Sequence, residues 1–274
     1  MSFMSTLEEK LAIINNRRPT SFTSSISDER GDELLYNHIP VSDFINHGSI
    51  ARVIWHLRFK KELPDYALKF IDTVLILLAD HGPAVSGATN TIITARAGKD
   101  VVDSLCAGLL TIGPRFGWAV SGAGQCFFHA VQDNQSPTVF IDAMKQSGIP
   151  IPGIWHKIKS IHNPDQRCTI LLNLAQSFPV RTYLDFAKSV ESLTVMKKPN
   201  LILNVDGHIG AMMLDLMTDL WYDTVTIQSY LDADVLNGLF ILARSIGFIG
   251  HHIDQKRLWE WLYRTSRDNI LYTD

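Results

Sequence analysis

The strongest constraint on the fold is an apolar helical segment, residues 64–79, that is stopped by an acid, a histidine, a glycine and a proline. Apolar residues recur at helical spacing from Phe70 to Leu78, and the last turns are apolar on every side, so this helix is predicted to be buried. Gly82 and Pro83 end the pattern, which places His81 where a rigid core helix meets a turn. Functional side chains favour such positions, although this segment alone fits a hydrogen-bonded core histidine equally well.

Helical patterns dominate the rest of the chain, and only the run LILNV at residues 201–205 could form a strand. The fold class is therefore predicted to be mainly α. With 274 residues, of which 46% are hydrophobic, one or two well-buried domains are expected. The net charge of −3 gives no electrostatic reason to bind nucleic acid or an anionic membrane. The expected partners are small molecules or further copies of the chain.

Cysteine usage and the N-terminal composition indicate the compartment. The three cysteines are far apart and form no CxxC pair, which argues against a disulfide framework or a structural zinc site and favours a reducing cytoplasm. The N-terminus is acidic where a signal peptide would be basic, and the apolar run 74–79 is too short to span a bilayer. Neighbouring histidines at 251 and 252 point about 100° apart on a helix, so no metal site is predicted there.

The order of the elements is also predicted. Residues 1–48 show little pattern and are expected to form an extended arm, after which Ser49 is a plausible helix cap. Helices are then expected over 86–97 and 100–112, over the segment capped by Ser136 and ended by Gly148, and around 212–220 and 232–251. The glycine-rich link 113–124 follows no strand and lacks GxGxxG spacing, so a nucleotide loop is a poor interpretation.

Three groups of motifs carry a family resemblance: LADHGPAVSGATNT; GIWHKIKS with NPDQR; and LILNVDG with LARSIGFIGHHIDQKR. Together they resemble the citrate-synthase-like module of ATP-citrate lyase and the free-standing citryl-CoA lyases. The likeness covers about residues 64–272. It implies a large helical domain formed by residues 1–94 and 215–274, with a smaller helical domain, residues 95–214, inserted between them. It further implies cleavage of citryl-CoA to acetyl-CoA and oxaloacetate, coenzyme A as part of the substrate, and a homodimer or larger homo-oligomer.

The resemblance also implies catalytic roles for three residues. His81 resembles the histidine that hydrogen-bonds the enolate oxygen of the acetyl group. His156 resembles the histidine that serves the hydroxyl or carbonyl oxygen of the four-carbon unit, and during cleavage it would accept the hydroxyl proton. Asp206 resembles the carboxylate that exchanges a proton with the methyl carbon. A histidine and a carboxylate are suitable groups for such proton transfers.

Basic residues complete the implied site. Arg167, Arg244 and Arg264 resemble the arginines that bind substrate carboxylates, and Arg264 would reach the site of a neighbouring subunit. Arginine forks can bind carboxylates through two hydrogen bonds. Lys197 and Lys198 resemble a basic pair near the coenzyme A site.

Four residues depart from the family pattern. Where the family has a GHR motif, Trp155 and Lys157 flank the histidine, so Lys157 would have to contact a substrate carboxylate as a point charge. Trp118 and Thr89 replace glycine and histidine. Three hypotheses therefore stay open: a citryl-CoA lyase, a condensing enzyme or lyase for another acyl-CoA and oxo acid, and a non-catalytic citrate- or CoA-binding subunit.

Overall fold

The computed structural model describes residue 16 and residues 24–113, 116–117, 119–220 and 222–273. The chain divides into two compact units, residues 1–69 and 70–274. The predictions for residues 1–15, 17–23 and Trp118 concern positions outside the described residues. The predicted inserted domain, residues 95–214, does not correspond to either of these units, and it stays a prediction.

The described part of the first unit holds a small antiparallel sheet and a short helix within residues 24–48, where an extended arm was predicted, and then the helix predicted after Ser49. The strands are β1 (Ser27–Asp28), β2 (Leu35–Tyr36) and β3 (Ile39–Pro40), paired in that order. They are followed by α1 (Val41–His47) and α2 (Ile50–Phe59). Ser49 caps α2 as predicted, since its hydroxyl accepts a hydrogen bond from Arg52 N. The arm prediction was wrong for this stretch because two-residue strands are too short to show alternating hydrophobicity.

The remaining helices confirm the mainly α prediction. The third helix, α3 (Asp65–Leu78), is the apolar segment, and it crosses the boundary between the units. The others are α4 (Ser86–Arg96), α5 (Val101–Leu109), α6 (Ala119–Gln132), α7 (Pro137–Ser147), α8 (Gln166–Ala175), α9 (Thr182–Thr194), α10 (Val205–Asp219), α11 (Thr224–Asp232) and α12 (Val235–Arg257). A single 3₁₀ turn, Arg267–Asn269, lies in the described tail.

Two of the predicted boundaries need correction. The run 201–205 is not a strand: Leu203 makes only an isolated bridge to Ile154, and α10 already begins at Val205. The helix predicted over 232–251 is α12, which begins at Val235 and continues to Arg257, and the separate helix α11 before it was not predicted. By contrast, α7 has the predicted signals, with Ser136 as its cap and Gly148 at its C-terminal end.

The core of the second unit is built around α10, which is buried on every face from Val205 to Met217. It packs against α6, α8 and α9, while α12 packs against α4, α5 and α6. The loop 153–156 lies against the start of α10 through two glycines: a Cβ on Gly153 would lie 2.6 Å from the Cα of Gly207. Because the two backbones approach so closely, the loop that contains His156 lies next to the turn that contains Asp206.

Within the described residues, no single helix has the length and hydropathy of a membrane span. Helices α11 and α12 pass that test only when they are joined, and they are bent by 46°.

Candidate active site

The turn that carries His81 is fixed by three residues on one face of α12. Arg244 Nε donates a hydrogen bond to the carbonyl oxygen of Leu78 over 2.9 Å. One turn later, Gly247 N donates to the carbonyl oxygen of Ala79 over 3.1 Å. Spacings of three and four residues place such side chains on the same helix face. The turn is therefore attached to α12 through its main chain.

Asp80 completes this attachment. Its Oδ1 atom lies 3.0 Å from Nε2 of His251, the third residue on that face of α12, and its Oδ2 atom accepts a hydrogen bond from Gly82 N. The sequence analysis weighed His251 only as a metal ligand, so its pairing with the turn was missed. Burial, followed by the charges of Arg167 and Arg244, lowers the pKa of His81, so its imidazole is neutral at pH 7.

Arg244 is held between aromatic rings. Its side chain is buried, and its guanidinium carbon lies 4.8 Å from the ring centre of Phe240 and 5.9 Å from that of Phe116. Among the described residues its Nη1 atom has no hydrogen-bond partner. Buried donors of this kind are costly unless a ligand satisfies them. The guanidinium is therefore suited to binding a carboxylate.

Arg167 is oriented by an aspartate that the sequence analysis did not identify. Asp165 caps α8 and accepts hydrogen bonds from Arg167 N, Nε and Nη2, the shortest of them 2.7 Å. This pairing lowers the pKa of Asp165 and raises that of Arg167. Aspartate is a preferred cap residue, so its position two residues before the arginine was a usable signal.

The hydrogen bonds of His156 fix its tautomer. Ile158 N and Lys159 N both donate to Nδ1, over 3.0 and 2.8 Å, so the hydrogen of the neutral ring lies on Nε2. Burial lowers the pKa of His156, which favours this neutral form. In this state Nε2 donates a hydrogen bond, and that argues against the predicted role of His156 as the acceptor of the hydroxyl proton.

Asp206 lies in the first turn of α10. The cap residue of this helix is Asn204, whose side chain accepts from Gly207 N and donates from Nδ2 to the carbonyl oxygen of Trp155. Burial raises the pKa of Asp206, and the charges of Arg167 and Arg244 oppose this shift. The protonated and ionised forms are thereby brought closer in free energy at neutral pH.

One cavity of about 410 Å³ collects five of the predicted residues: His81, His156, Arg167, Asp206 and Arg244. A second cavity of about 990 Å³ is lined mainly by apolar residues of the 141–154 region, together with Lys145 and Lys197. The two cavities share Ala119, Trp155 and Asn204. Lys157, Lys198 and Arg264 are exposed and line neither of them. In the described part of the chain no group of three or more His, Cys, Asp or Glu could hold a metal ion.

A comparison with known protein families shows to which of them this chain belongs. The family described as "Citrate synthase, C-terminal domain" matches residues 36–266. The chain belongs to the citrate synthase family. This result confirms the predicted resemblance and the mainly α fold class.

Relatives compared by sequence and relatives of known structure both agree with this assignment. The chain is 50% identical over 262 residues to a probable ATP-citrate synthase subunit 1 of Neurospora crassa, covering 93% of this chain and 39% of that protein. ATP citrate lyase from Methanothrix soehngenii, solved with citrate and coenzyme A, is 48% identical, with a TM-score of 0.91 over 99% of this chain and 44% of that chain. Thus the chain spans about two fifths of the length of these relatives.

A protein of similar length has the same fold. Citryl-CoA lyase from Hydrogenobacter thermophilus superposes with a TM-score of 0.79 over 92% of this chain and 94% of that chain, at 22% identity.

Proposed function

We propose that this citrate synthase family chain cleaves citryl-CoA to acetyl-CoA and oxaloacetate by enolate chemistry. The observation that carries the proposal is that two histidines, one half-buried aspartate and two arginines converge in one cavity. The relatives named ATP-citrate synthase and ATP citrate lyase support the same substrate class.

Each catalytic side chain has one role, described most simply in the direction of bond formation. Ionised Asp206 removes a proton from the acetyl methyl group, and His81 donates a hydrogen bond to the enolate oxygen. The enolate carbon attacks the oxo carbon of oxaloacetate while His156 Nε2–H donates a hydrogen bond to the oxo oxygen, and the alkoxide that forms takes up a proton from a water molecule. In cleavage the hydroxyl proton of citryl-CoA passes to water, the carbon–carbon bond breaks, and protonated Asp206 gives its proton to the enolate carbon. Positioned donors of this kind are often the largest contribution to catalysis.

The two arginines would hold the carboxylates of the four-carbon unit. Arg244 presents a buried nitrogen that has no hydrogen-bond partner among the described residues, and Arg167 is oriented by Asp165. Bidentate pairing would fix the bond to be broken relative to Asp206. Lys157 is exposed in the free chain, so its proposed carboxylate contact would need the loop that carries it to move.

The larger cavity is proposed to take coenzyme A. Its apolar wall suits the pantetheine arm, and Lys197, with the exposed Lys198 beside it, would meet the phosphates. Closure of the 95–214 segment over the substrate is proposed to exclude water from the site. A cytoplasmic location would fit the free thiols of Cys106, Cys126 and Cys168.

A homodimer is proposed, with Arg264 of one chain completing the site of the other. The described tail leaves large apolar side chains exposed, including Trp259, Trp261 and Leu271, each more than 80% accessible. Exposed apolar surface of this extent marks interaction sites. Arg264 lies within this tail and away from its own chain's cavity.

A different acyl-CoA and oxo-acid pair is the second candidate, favoured by Trp155 at the junction of the two cavities. Incubating the purified chain with citryl-CoA and following oxaloacetate tests the first proposal. Steady release supports it. If citrate or CoA binds in calorimetry but no oxaloacetate appears, the lyase proposal is wrong.

A further inference from the structure

Trp155 has a backbone conformation that side-chain-bearing residues rarely adopt. Of the residues that the structure describes, seven non-glycine residues have a positive φ, and six of them lie between 45° and 73°, in the ordinary left-handed region. Trp155 stands apart with a φ of 144°. That part of backbone space is occupied almost only by glycine, and strain of this kind concentrates at functional sites.

Hydrogen bonds on both sides hold this conformation. Trp155 N donates to the carbonyl oxygen of Ile202 over 2.9 Å, and its own carbonyl oxygen accepts from Asn204 Nδ2 over 3.1 Å. The next residue, His156, donates from its backbone N to Asn200 O over 3.0 Å. Because both neighbouring peptide groups are fixed, the direction in which the indole leaves the main chain is also fixed.

The indole of Trp155 is only partly packed. Its exposed fraction is 53%, so about half of its apolar surface stays in contact with solvent despite the strained backbone. Trp155 lies where the charged cavity meets the apolar one, and the other residues that line both are the small Ala119 and the polar Asn204. Trp155 is therefore the one large side chain among the three.

We infer that Trp155 sets the length of the acyl group that the site accepts; this inference rests on the proposed function. The acyl α-carbon must lie beside Asp206, while the thioester sulfur leads into the apolar cavity, so the acyl group occupies the junction. A methyl substituent on the α-carbon meets the indole at that junction. The site thus favours an acetyl thioester over a propionyl thioester.

The test compares acetyl-CoA and propionyl-CoA as partners of oxaloacetate, with the condensed thioester measured by mass spectrometry. Trp155→Ala removes the ring and keeps a Cβ, whereas Trp155→Gly also removes the backbone strain. Both variants should raise the propionyl-to-acetyl ratio of kcat/KM at least about tenfold, since one methylene commonly gives 10- to 200-fold discrimination. Asn134→Gly, at an exposed left-handed position outside both cavities, should leave the ratio unchanged.

Two outcomes would overturn the inference. One is a selectivity ratio that stays within twofold of the wild type in both Trp155 variants. The other is a melting temperature of Trp155→Gly at or below that of Trp155→Ala, because glycine should relieve the strain that alanine retains. If no variant turns over either thioester, the proposed function fails. The ratio of calorimetric Kd values for the same two thioesters then decides: an unchanged ratio in Trp155→Gly overturns the inference, and a raised preference for propionyl-CoA supports it.

Discussion

At the scale of single residues, burial and hydrogen bonding set the protonation states, and thereby the proposed roles, of two histidines and two carboxylates. Partial burial lowers the pKa of His81 and of His156, so both imidazoles are neutral at pH 7 and each can donate a hydrogen bond to a developing oxyanion. The pKa values of Asp206 and Asp165 are shifted in opposite directions, because burial raises that of Asp206 and the hydrogen-bonded Arg167 lowers that of Asp165. Environments that separate the pKa values of two acids commonly separate their roles. We therefore assign proton transfer to Asp206 and positioning to Asp165.

Asp165→Asn tests the positioning role. The amide cannot reproduce the charge-assisted contacts to Arg167, which are each worth about 1.5–3 kcal/mol in partly buried settings. We expect KM for citryl-CoA to rise roughly tenfold or more, with a smaller change in kcat. Asp185→Asn, which breaks the exposed pair with Arg181, is the matched control and should leave both constants unchanged. Equal effects of the two variants in steady-state kinetics would refute the assignment.

The sequence identified residues that lie in recognisable motifs. It did not identify residues whose role depends on a contact with a distant part of the chain. His81, His156 and Asp206 were found because each lies in a recognisable motif, and the structure brings them to one cavity. The contact between His251 and Asp80 joins residues 171 positions apart, and no local pattern encodes such a pair. The tautomer of His156 depends on two loop amides, whose directions follow only from the folded loop.

At the scale of elements, α12 positions the turn that contains His81 through hydrogen bonds, and it also supplies Arg244 to the site. Gly247 is the closest contact, since a Cβ there would lie 2.2 Å from the carbonyl oxygen of Ala79. Gly247→Ala should push the turn away and destabilise the fold by roughly 1–3 kcal/mol, the usual range for overpacking. The rate should fall with it, because His81 moves. Thermal melting and kinetics measure the two effects.

Gly250→Ala is the control on the same helix, since nothing lies within 4 Å of an added Cβ there. Removing a mid-helix glycine in open space should stabilise the protein by about 0.5–1 kcal/mol. If both alanine variants melt above the wild type, the contact between α12 and the turn is not the constraint that we describe.

A second element contact gives a pH prediction. Asp215, fully buried in α10, accepts hydrogen bonds from Tyr183 N and Leu184 N at the start of α9. Burial raises its pKa to about 7, so the native state binds more protons than the unfolded chain above pH 3.8. Stability from this group is full below pH 3.8 and is lost as the pH rises through about 7.

Asp215→Asn should remove this dependence. We expect the melting temperature of the variant, relative to the wild type, to be higher at pH 8 than at pH 5, by roughly 2–4 °C for each kcal/mol involved. A difference that is equal at the two pH values in calorimetry would show that Asp215 does not titrate in this range.

At the scale of the whole molecule, the proposed contribution of Arg264 to a neighbouring site predicts that two chains share each active site. Arg264→Ala and Asp206→Asn should each inactivate their own homodimers strongly. When the two variants are coexpressed, a mixed dimer holds one site with an intact Asp206 and the partner's intact Arg264. Random pairing makes about half of the dimers mixed, so about a quarter of wild-type activity should return. No recovery in dimers verified by light scattering would contradict a shared site.

The most direct measurement is the rate of oxaloacetate release from citryl-CoA by the wild type and by Asp206→Asn, with Asp142→Asn on the exposed face of α7 as the control. We predict turnover by the wild type and the control. Asp206→Asn should lose about 10²- to 10⁴-fold in rate, as expected for a positioned acid, with an unchanged circular dichroism spectrum. Wild-type turnover that Asp206→Asn retains in full would contradict the account, as would a wild type that binds citryl-CoA and never cleaves it.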